Sequence, residues 1–146
     1  MPKKRIPEQK FKNKSKKISE EATAKATQGE KTDHLNPSFR FTHADENRWC
    51  LSKWKAQEIE ELIHALKKFE KYTWSEIKSQ GSKKKGESVG CGFKLIKQHP
   101  SLPDSVGEDA VISEMRICEK KRIFGFRMDS IFYIVWFDRD HTVCKD

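Results

Sequence analysis

The feature that most constrains the fold is a run of aromatic and aliphatic residues near the C terminus. Two stretches, RIFGFR (122–127) and IFYIVWFD (131–138), have the length and the β-branched and aromatic content of strands, and only MDS separates them. A link this short joins antiparallel neighbours. A similar run, VISEMRIC (111–118), precedes them after the link EKK. The sequence therefore predicts an antiparallel meander of three strands.

The segment before the meander carries helical signals. Its apolar residues in KAQEIEELIHALKKFEKY follow helical spacing: Ile59, Leu62, Ile63, Leu66 and Phe69. A stripe of this kind is typical of an amphipathic helix that covers a sheet. After it, TWSEI offers Thr73 as an N-cap with Glu76 three residues later, which predicts a second, short helix over about residues 74–79.

The start of the ordered region is predicted at NPSFRFTH, where Phe39 and Phe41 alternate with polar residues as in a half-buried strand. Trp49 and Trp54 are candidates for packing against the domain. We therefore predict an α+β fold in which an N-terminal strand precedes two helices packed on an antiparallel C-terminal sheet. The segment FKLIKQH fits either a short strand or irregular structure, and PSLPDSVGED fits a connector. These elements form one domain over 37–146.

Residues 1–36 differ in composition from the rest of the chain. They contain ten Lys or Arg against five Asp or Glu, which is +5 of the chain's formal charge of +8. The segment has no sustained apolar period, so it is predicted to be a disordered basic tail. Three roles are open for it: an electrostatic anchor for nucleic-acid phosphates, a targeting signal, or a solvated tail without a dedicated partner.

Several classes of protein are excluded by composition. The longest apolar run is too short for a membrane span and no signal-peptide apolar region follows the N terminus, so we expect a soluble, cytoplasmic protein without a membrane partner. The cysteines form no CxxC pair, which argues against a zinc ribbon and against a disulfide framework. We expect reduced thiols, no metal and no cofactor.

The parity of the strands predicts two different sheet faces if Glu119–Lys120 and Asp129–Ser130 are two-residue turns. The core face, under the helical stripe, would include Met115, Phe124, Phe126, Tyr133, Val135 and Phe137. The opposite face would mix apolar residues with charges: Ile112, Glu114, Arg116, Lys121, Ile123, Arg127, Phe132, Ile134, Trp136 and Asp138. Such a face is a candidate contact surface, unless the tail or the lysine-rich loop SQGSKKKGESVGCG (79–92) covers it. A three-residue bulged turn would reverse the relation between neighbouring strands.

Arginines on a sheet beside a tryptophan suit single-stranded RNA, because guanidinium groups bind phosphates and aromatic rings stack on bases. The predicted RNA-binding residues are Lys83, Lys84, Lys85, Lys121, Arg122 and Trp136. Cleavage without a metal would need an acid or base, for which His141 is suited, and cations such as Arg116 and Arg127 to stabilise the phosphorane. The alternative for His141 is an exposed histidine in a polar C-terminal turn.

The order of elements, the basic late strands and the C-terminal histidine resemble the RelE-type ribonuclease toxins of bacterial toxin–antitoxin systems. Residues 122–141 are also similar to the ending of a group of small uncharacterised bacterial proteins, in which an Arg, a Gly-Phe pair, an aromatic strand and Asp-x-x-His recur. The resemblance implies messenger-RNA cleavage, with Arg116, Arg127 and His141 in suitable places, and an antitoxin partner. The chain departs from those toxins in having no tyrosine near the end of its last strand.

Two other hypotheses follow from the residues themselves. The first is a non-catalytic module that binds RNA or a protein partner through the same sheet face. The second is a structural or accessory protein whose sheet face is covered by its own tail. These alternatives differ in what binds the face, and the residue pattern leaves both open.

Overall fold

The computed structural model describes residues 31–80 and 91–144. The elements in chain order are β1 (Ser38–Arg40), a 3-10 helix (Leu51–Lys53), α1 (Ala56–Phe69), α2 (Trp74–Gln80), β2 (Lys94–Ile96), β3 (Ile112–Arg116), β4 (Arg122–Met128) and β5 (Ile131–Asp138). In this part of the chain the strands form one sheet in the order β1-β5-β4-β3-β2. Strand β1 is parallel to β5, and the other neighbours are antiparallel. The predicted α+β class is confirmed.

Helix α2 begins where the sequence signal predicts. The backbone N–H of Glu76 donates to Thr73 Oγ1 (3.1 Å), and the N–H of Thr73 donates to Glu76 Oε1 (2.9 Å). Helix α1 has half of the same arrangement, because the N–H of Lys55 donates to Glu58 Oε1 (2.9 Å). These bonds satisfy backbone donors that a helix start leaves without partners. Across the described residues, no helix has the length and apolar content needed to cross a membrane.

The two helices cover one face of the sheet. The buried residues of this first cluster come from both layers: Trp54, Leu62, Ala65, Leu66, Phe69, Trp74, Ile77, Cys91, Met115, Ile123, Phe132, Ile134 and Phe137. Most of the predicted helical stripe therefore packs inward. Ile63 is the exception, since half of its surface is exposed. We call this side of the sheet the helix-covered face.

The link between β3 and β4 is longer than predicted. The N–H of Ile117 donates to the carbonyl of Lys121 (2.8 Å), so three residues lie between them. As a result Met115 pairs with Ile123 across the two strands. The prediction had grouped Met115 with Phe124, one position further along β4. An odd link reverses the face of every residue on one strand relative to the other, which corrects that grouping.

The turn between β4 and β5 has the predicted length. Asp129 adopts a positive φ of 55°, as the first central residue of a tight hairpin turn of the primed type does. Met128 pairs with Ile131 and Phe126 pairs with Tyr133, as the predicted two-residue turn at Asp129–Ser130 requires. The register set by this turn therefore holds for the part of the hairpin nearest to it.

A β-bulge changes the second half of this hairpin. Gly125 pairs with Ile134, whereas Phe124 pairs with Trp136, so Val135 is an extra residue on β5. Continued from the turn without a bulge, the register would place Phe124 opposite Val135. A bulge leaves two residues of one strand opposite one residue of its partner. Val135 and Trp136 therefore both belong to the second hydrophobic cluster.

That second cluster fills the other face, which we call the loop-covered face. Its buried residues come from the strands, from the connector between β2 and β3 and from the chain after β5: Ile96, Val106, Ala110, Ile112, Phe124, Phe126, Val135, Trp136 and Val143. The predicted open face of mixed charges and exposed aromatics is therefore wrong. Two odd steps, the three-residue link and the bulge, divide its members between two buried faces.

Ordered contacts begin slightly before the predicted start of the domain at residue 37. The N–H of Trp74 donates to the carbonyl of Leu35 and the N–H of Ser75 to that of Asp33, both at 2.9 Å. The side chain of Asn36 donates to the carbonyl of Glu70 (2.7 Å). The predictions for residues 1–30 lie outside the described residues.

Candidate functional site

Arg127, predicted to stabilise a phosphorane, is buried on the helix-covered face with 3% of its surface exposed. Its guanidinium carbon lies 4.4 Å from the centre of a Trp74 ring. Its Nε donates to the carbonyl of Asp129 (2.7 Å), and its Nη2 donates to Asp33 Oδ1 (2.6 Å) and Thr32 Oγ1 (3.0 Å). These contacts use the guanidinium within the protein, so it is not presented to RNA in this structure.

Trp136, predicted to stack on bases, lies on the loop-covered face and is fully buried. Its Nε1 donates to Asp45 Oδ2 (3.1 Å), and its ring packs edge-on against Trp49 at 5.3 Å between centroids. The bulge places Trp136 and Arg127 on opposite faces. The predicted surface that combines the two is not formed.

Lys121 and Arg122, predicted to bind RNA, pair with carboxylates. Arg122 Nε lies 3.3 Å from Glu114 Oε2, and its Nη1 donates to carbonyl groups of the preceding turn. Lys121 Nζ lies 3.2 Å from Glu61 Oε1 and 3.8 Å from Glu58 Oε2. Burial lowers the pKa of Lys121, but the contacts with Glu61 and Glu58 together outweigh it, so the net effect is a raised pKa. The lysines at 83, 84 and 85 lie outside the described residues.

Arg116 and His141, the remaining predicted catalytic residues, lie at the same end of the sheet. Arg116 pairs with Arg122, which in turn pairs with Asp138, and His141 is in the turn that follows. His141 is half-buried and has a positive φ of 62°. Arg116 is half-buried against Gly92, where an added Cβ would lie 3.3 Å from the Arg116 Cβ. Two concave surfaces of the described residues lie at this end of the sheet.

The first concave surface, which we call the aromatic pocket, has a volume of about 260 Å³. Its lining includes three aromatic residues, two cations and two carboxylates: Trp49, Trp54, Phe137, Lys53, Arg139, Asp138 and Asp140. Trp54 packs edge-on against Phe137 at 6.4 Å between centroids. Its buried indole N–H has no hydrogen-bond partner among the described residues.

The segment between β1 and α1 positions Trp49 at this pocket. Trp49 has a positive φ of 47°, and its Nε1 donates to Thr142 Oγ1 (2.8 Å). The guanidinium carbon of Arg48 lies 5.1 Å from the centre of its ring. On another side of Phe137, the ring of Phe41 is stacked at 6.5 Å and is 55% exposed. Trp49 and Phe137, which line the pocket, therefore each have a further contact outside it, with Arg48 and Phe41 respectively.

A cysteine also lies on the wall of the aromatic pocket. Cys50 Sγ is 3.3 Å from the hydroxyl oxygen of Ser52, and this hydrogen bond lowers the pKa of the Cys50 thiol. By contrast, burial raises the pKa of the Cys91 thiol to about 11. Cys50 is therefore the more reactive of these two thiols.

A second, charged pocket of about 530 Å³ adjoins the first through Arg139 and Asp140. Its ion pairs link α1 to the sheet, since Arg139 Nε donates to Glu58 Oε1 (2.8 Å). The carboxylate of Glu58 also lies near Lys121. Within the described residues no group of three or more His, Cys, Asp or Glu side chains could hold a metal ion.

Comparisons of this chain with protein-family models, with curated proteins and with solved structures find no match. The assignment of function therefore depends on the residues and their geometry. Sequence reasoning assigned Trp49 and Trp54 to packing alone. The closely spaced tryptophans and lysine in RWCLSKW were the available signal, but only the fold brings Phe137 and Arg139 beside them.

Proposed function

We propose that the protein binds single-stranded RNA without cleaving it and that the aromatic pocket receives a base. The observation that carries this proposal is the combination of Trp49 and Phe137 with Lys53 around one concave surface. Proteins bind single strands by stacking bases on aromatic rings while cations follow the phosphate backbone. A Lys-rich N-terminal segment would add sequence-independent attraction to phosphates.

Binding is tested by the fluorescence anisotropy of a labelled single-stranded RNA of roughly 10 nucleotides, a typical site size for such proteins. Trp49→Ala is expected to weaken binding by about 5- to 160-fold, since stacking contributes about 1–3 kcal/mol for each base. Trp49→Phe keeps a stacking ring and should recover most of the affinity. If Trp49→Ala binds as the wild type does while remaining folded, the pocket is not the RNA site.

A pair of lysine variants separates contact at the pocket from general charge. Lys53 lines the aromatic pocket, whereas Lys94 is exposed on the edge strand β2. Lys53→Gln is expected to reduce the salt dependence of RNA binding by about one counterion, and Lys94→Gln to leave it unchanged. Equal effects of the two variants would favour diffuse attraction over a defined site.

The endoribonuclease of a toxin–antitoxin system is the second candidate. It is favoured by the position of His141 between Asp140 and Thr142, both of which line the aromatic pocket. In this version His141 acts as acid or base on RNA held there, and an antitoxin covers the pocket. Cleavage of the same RNA in the presence of a chelator, with growth arrest on induction and loss of both in His141→Ala, would establish it. Intact RNA and normal growth favour the non-catalytic binder.

A further inference from the structure

Arg127 is held in place mainly by the folded core. The guanidinium stacks on Trp74, which is fully buried and whose Nε1 donates to the carbonyl of Ser130 (3.0 Å). Its Nε is bonded to the carbonyl of Asp129 in the hairpin turn. These contacts fix the plane of the guanidinium and leave its Nη2 directed toward residues 32 and 33. Arg127 is therefore a preorganised cation at the edge of the core.

The group that receives this cation is the carboxylate of Asp33. Arg127 Nη2 donates to its Oδ1 and Lys78 Nζ to its Oδ2, each at 2.6 Å. Burial raises the pKa of Asp33, but the hydrogen bonds from Lys78 and Arg127 outweigh it, so the net effect is a lowered pKa. Two cations thus converge from different elements, β4 and α2, on the two oxygens of one anion. Proteins also bind phosphate in this way, with cationic donors directed at two oxygens of the same group.

The segment that supplies Asp33 is attached by polar contacts. We call residues 32–36 the strap. Its one large apolar side chain, Leu35, is 41% exposed, and the side chain of Asn36 is also exposed. Backbone carbonyls of Asp33 and Leu35 accept hydrogen bonds from the start of α2. A segment with little buried apolar surface opens at a lower free energy than the core to which it is attached.

We propose that Arg127 and Lys78 form a phosphate-binding site that Asp33 of the strap occupies within the same chain. Release of the strap removes Asp33 from both cations and uncovers Arg127, while Trp74 and the carbonyl of Asp129 keep Arg127 in position. The strap therefore competes with an incoming phosphate and lowers its apparent affinity. The phosphate-binding site is inferred from the contacts of Arg127, Lys78 and Asp33 alone. Only the identification of the phosphate as one of RNA rests on the proposed function.

The test titrates inorganic phosphate into the full chain and follows the Arg127 Nε–H and Trp74 indole N–H signals by NMR. Asp33→Asn removes the competing charge, and Asp104→Asn removes the same charge from an exposed position elsewhere. Asp33→Asn is expected to saturate at a phosphate concentration roughly 10-fold or more below that of the wild type and of Asp104→Asn, because a self-occupied site is available only part of the time. Asp33→Ser, which keeps an acceptor for Arg127, replaces Asp33→Asn if that variant fails to fold.

The contribution of the site itself is tested by adding Lys78→Gln to Asp33→Asn. Loss of the gained phosphate affinity is expected, whereas a double variant that titrates like Asp33→Asn overturns the proposal. The proposal also fails if Asp33→Asn titrates like Asp104→Asn.

A labelled RNA then identifies the source of the phosphate. Tighter RNA binding by Asp33→Asn supports RNA, and unchanged RNA binding with saturable phosphate binding removes RNA as the ligand. Trp49→Ala, which tests the aromatic pocket, is independent of each of these results.

Discussion

The two faces of the sheet are both buried, but they are covered by different kinds of structure. On the helix-covered face, α1 and α2 present apolar side chains to the strands. On the loop-covered face, the cover is the connector between β2 and β3 together with the chain after β5. Regular helices satisfy their own backbone groups, whereas a loop needs side chains or water to do so. The second cover therefore depends on individual polar contacts.

Several such contacts attach the loop cover to the rest of the domain. His43 Nδ1 lies 2.9 Å from Ser105 Oγ, and Arg48 Nη2 donates to the carbonyl of Ser101 (2.5 Å). The ring of His43 also packs against Phe126 at 5.6 Å between centroids. Mutations on the two faces should therefore destabilise the fold in different ways. On the helix-covered face the loss is of apolar contact, whereas on the loop-covered face it is of the polar contacts that attach the loop.

Two phenylalanines of equal burial provide the most direct comparison of the faces. Phe132 belongs to the helix-covered face and Phe126 to the loop-covered face, and both are fully buried. Phe132→Ala is expected to lower the free energy of unfolding by nearly 5 kcal/mol and Phe126→Ala by about 3, because a loop closes a cavity more readily than packed helices do. Urea unfolding measures both. A larger loss for Phe126→Ala would show that the loop cover is the more rigid one.

The bulge in β5, which sets the face to which each later residue of the strand belongs, lies opposite Gly125 and Phe124 of β4. A Cβ at this position would lie 2.0 Å from the carbonyl oxygen of Tyr133, a backbone atom. Gly125→Ala is therefore expected to lower the free energy of unfolding by about 2–3 kcal/mol, since strands must move apart. Gly92→Ala provides a graded comparison, because an added Cβ there meets only a side chain at 3.3 Å, although the positive φ still costs about 1 kcal/mol. Equal losses would mean that the bulge does not require glycine.

For the helix-covered face, the sequence predicts the helices that cover the sheet. It does not predict which strand residues lie beneath them. The spacing of Leu62, Leu66 and Phe69 and the pair Thr73 and Glu76 are local signals, and the structure confirms them. The face of each strand residue depends on the parity of every link before it. A single extra residue at Val135 reverses that parity without changing the composition of the strand.

The candidate site was less predictable for the same reason. Arg127 and Trp136 are nine residues apart in the sequence and would share a face only without the bulge. The aromatic pocket joins Trp49 to Phe137, a proximity that no periodic pattern encodes. The contact of Asp33 with Arg127 was missed because residues 1–36 were judged by average composition, which conceals a short attached segment.

A substitution of Asp138 tests whether the chain after β5, which covers the loop-covered face, unfolds independently of α1. Its carboxylate is fully buried and accepts hydrogen bonds from the backbone N–H groups of Thr142 (3.0 Å) and Val143 (2.9 Å). Asp138→Asn removes one charged acceptor and is expected to lower the free energy of unfolding by about 1–2 kcal/mol. Hydrogen exchange should quicken at Thr142 and Val143 and remain unchanged in α1. Equal acceleration in α1 would show that the two covers unfold as one unit.

The smallest expected effect concerns the ion pair that joins the two covers. Glu58 belongs to α1, and Arg139 begins the turn that follows β5. The hydrogen bond from Arg139, with that from the Lys55 backbone, lowers the pKa of Glu58 from 4.5 to about 2. A carboxylate whose pKa is lower in the folded state stabilises that state above its unfolded pKa. This contribution should therefore be complete above about pH 5 and be lost as the pH falls from 4.5 to about 2.

Glu58→Gln isolates this contribution when its urea midpoint is compared with that of the wild type across the acidic range. The difference is expected to be largest near neutral pH, to narrow as the pH falls from 4.5 toward 2 and to vanish only below that range, because Glu58 is still partly ionised near its folded pKa of about 2. Glu60→Gln removes an exposed carboxylate from the same helix and should show no such convergence. A difference that persists undiminished at the acidic limit would mean that the side chain of Glu58 acts through packing. The contact between α1 and the chain after β5 would then depend on van der Waals packing and not on the ion pair.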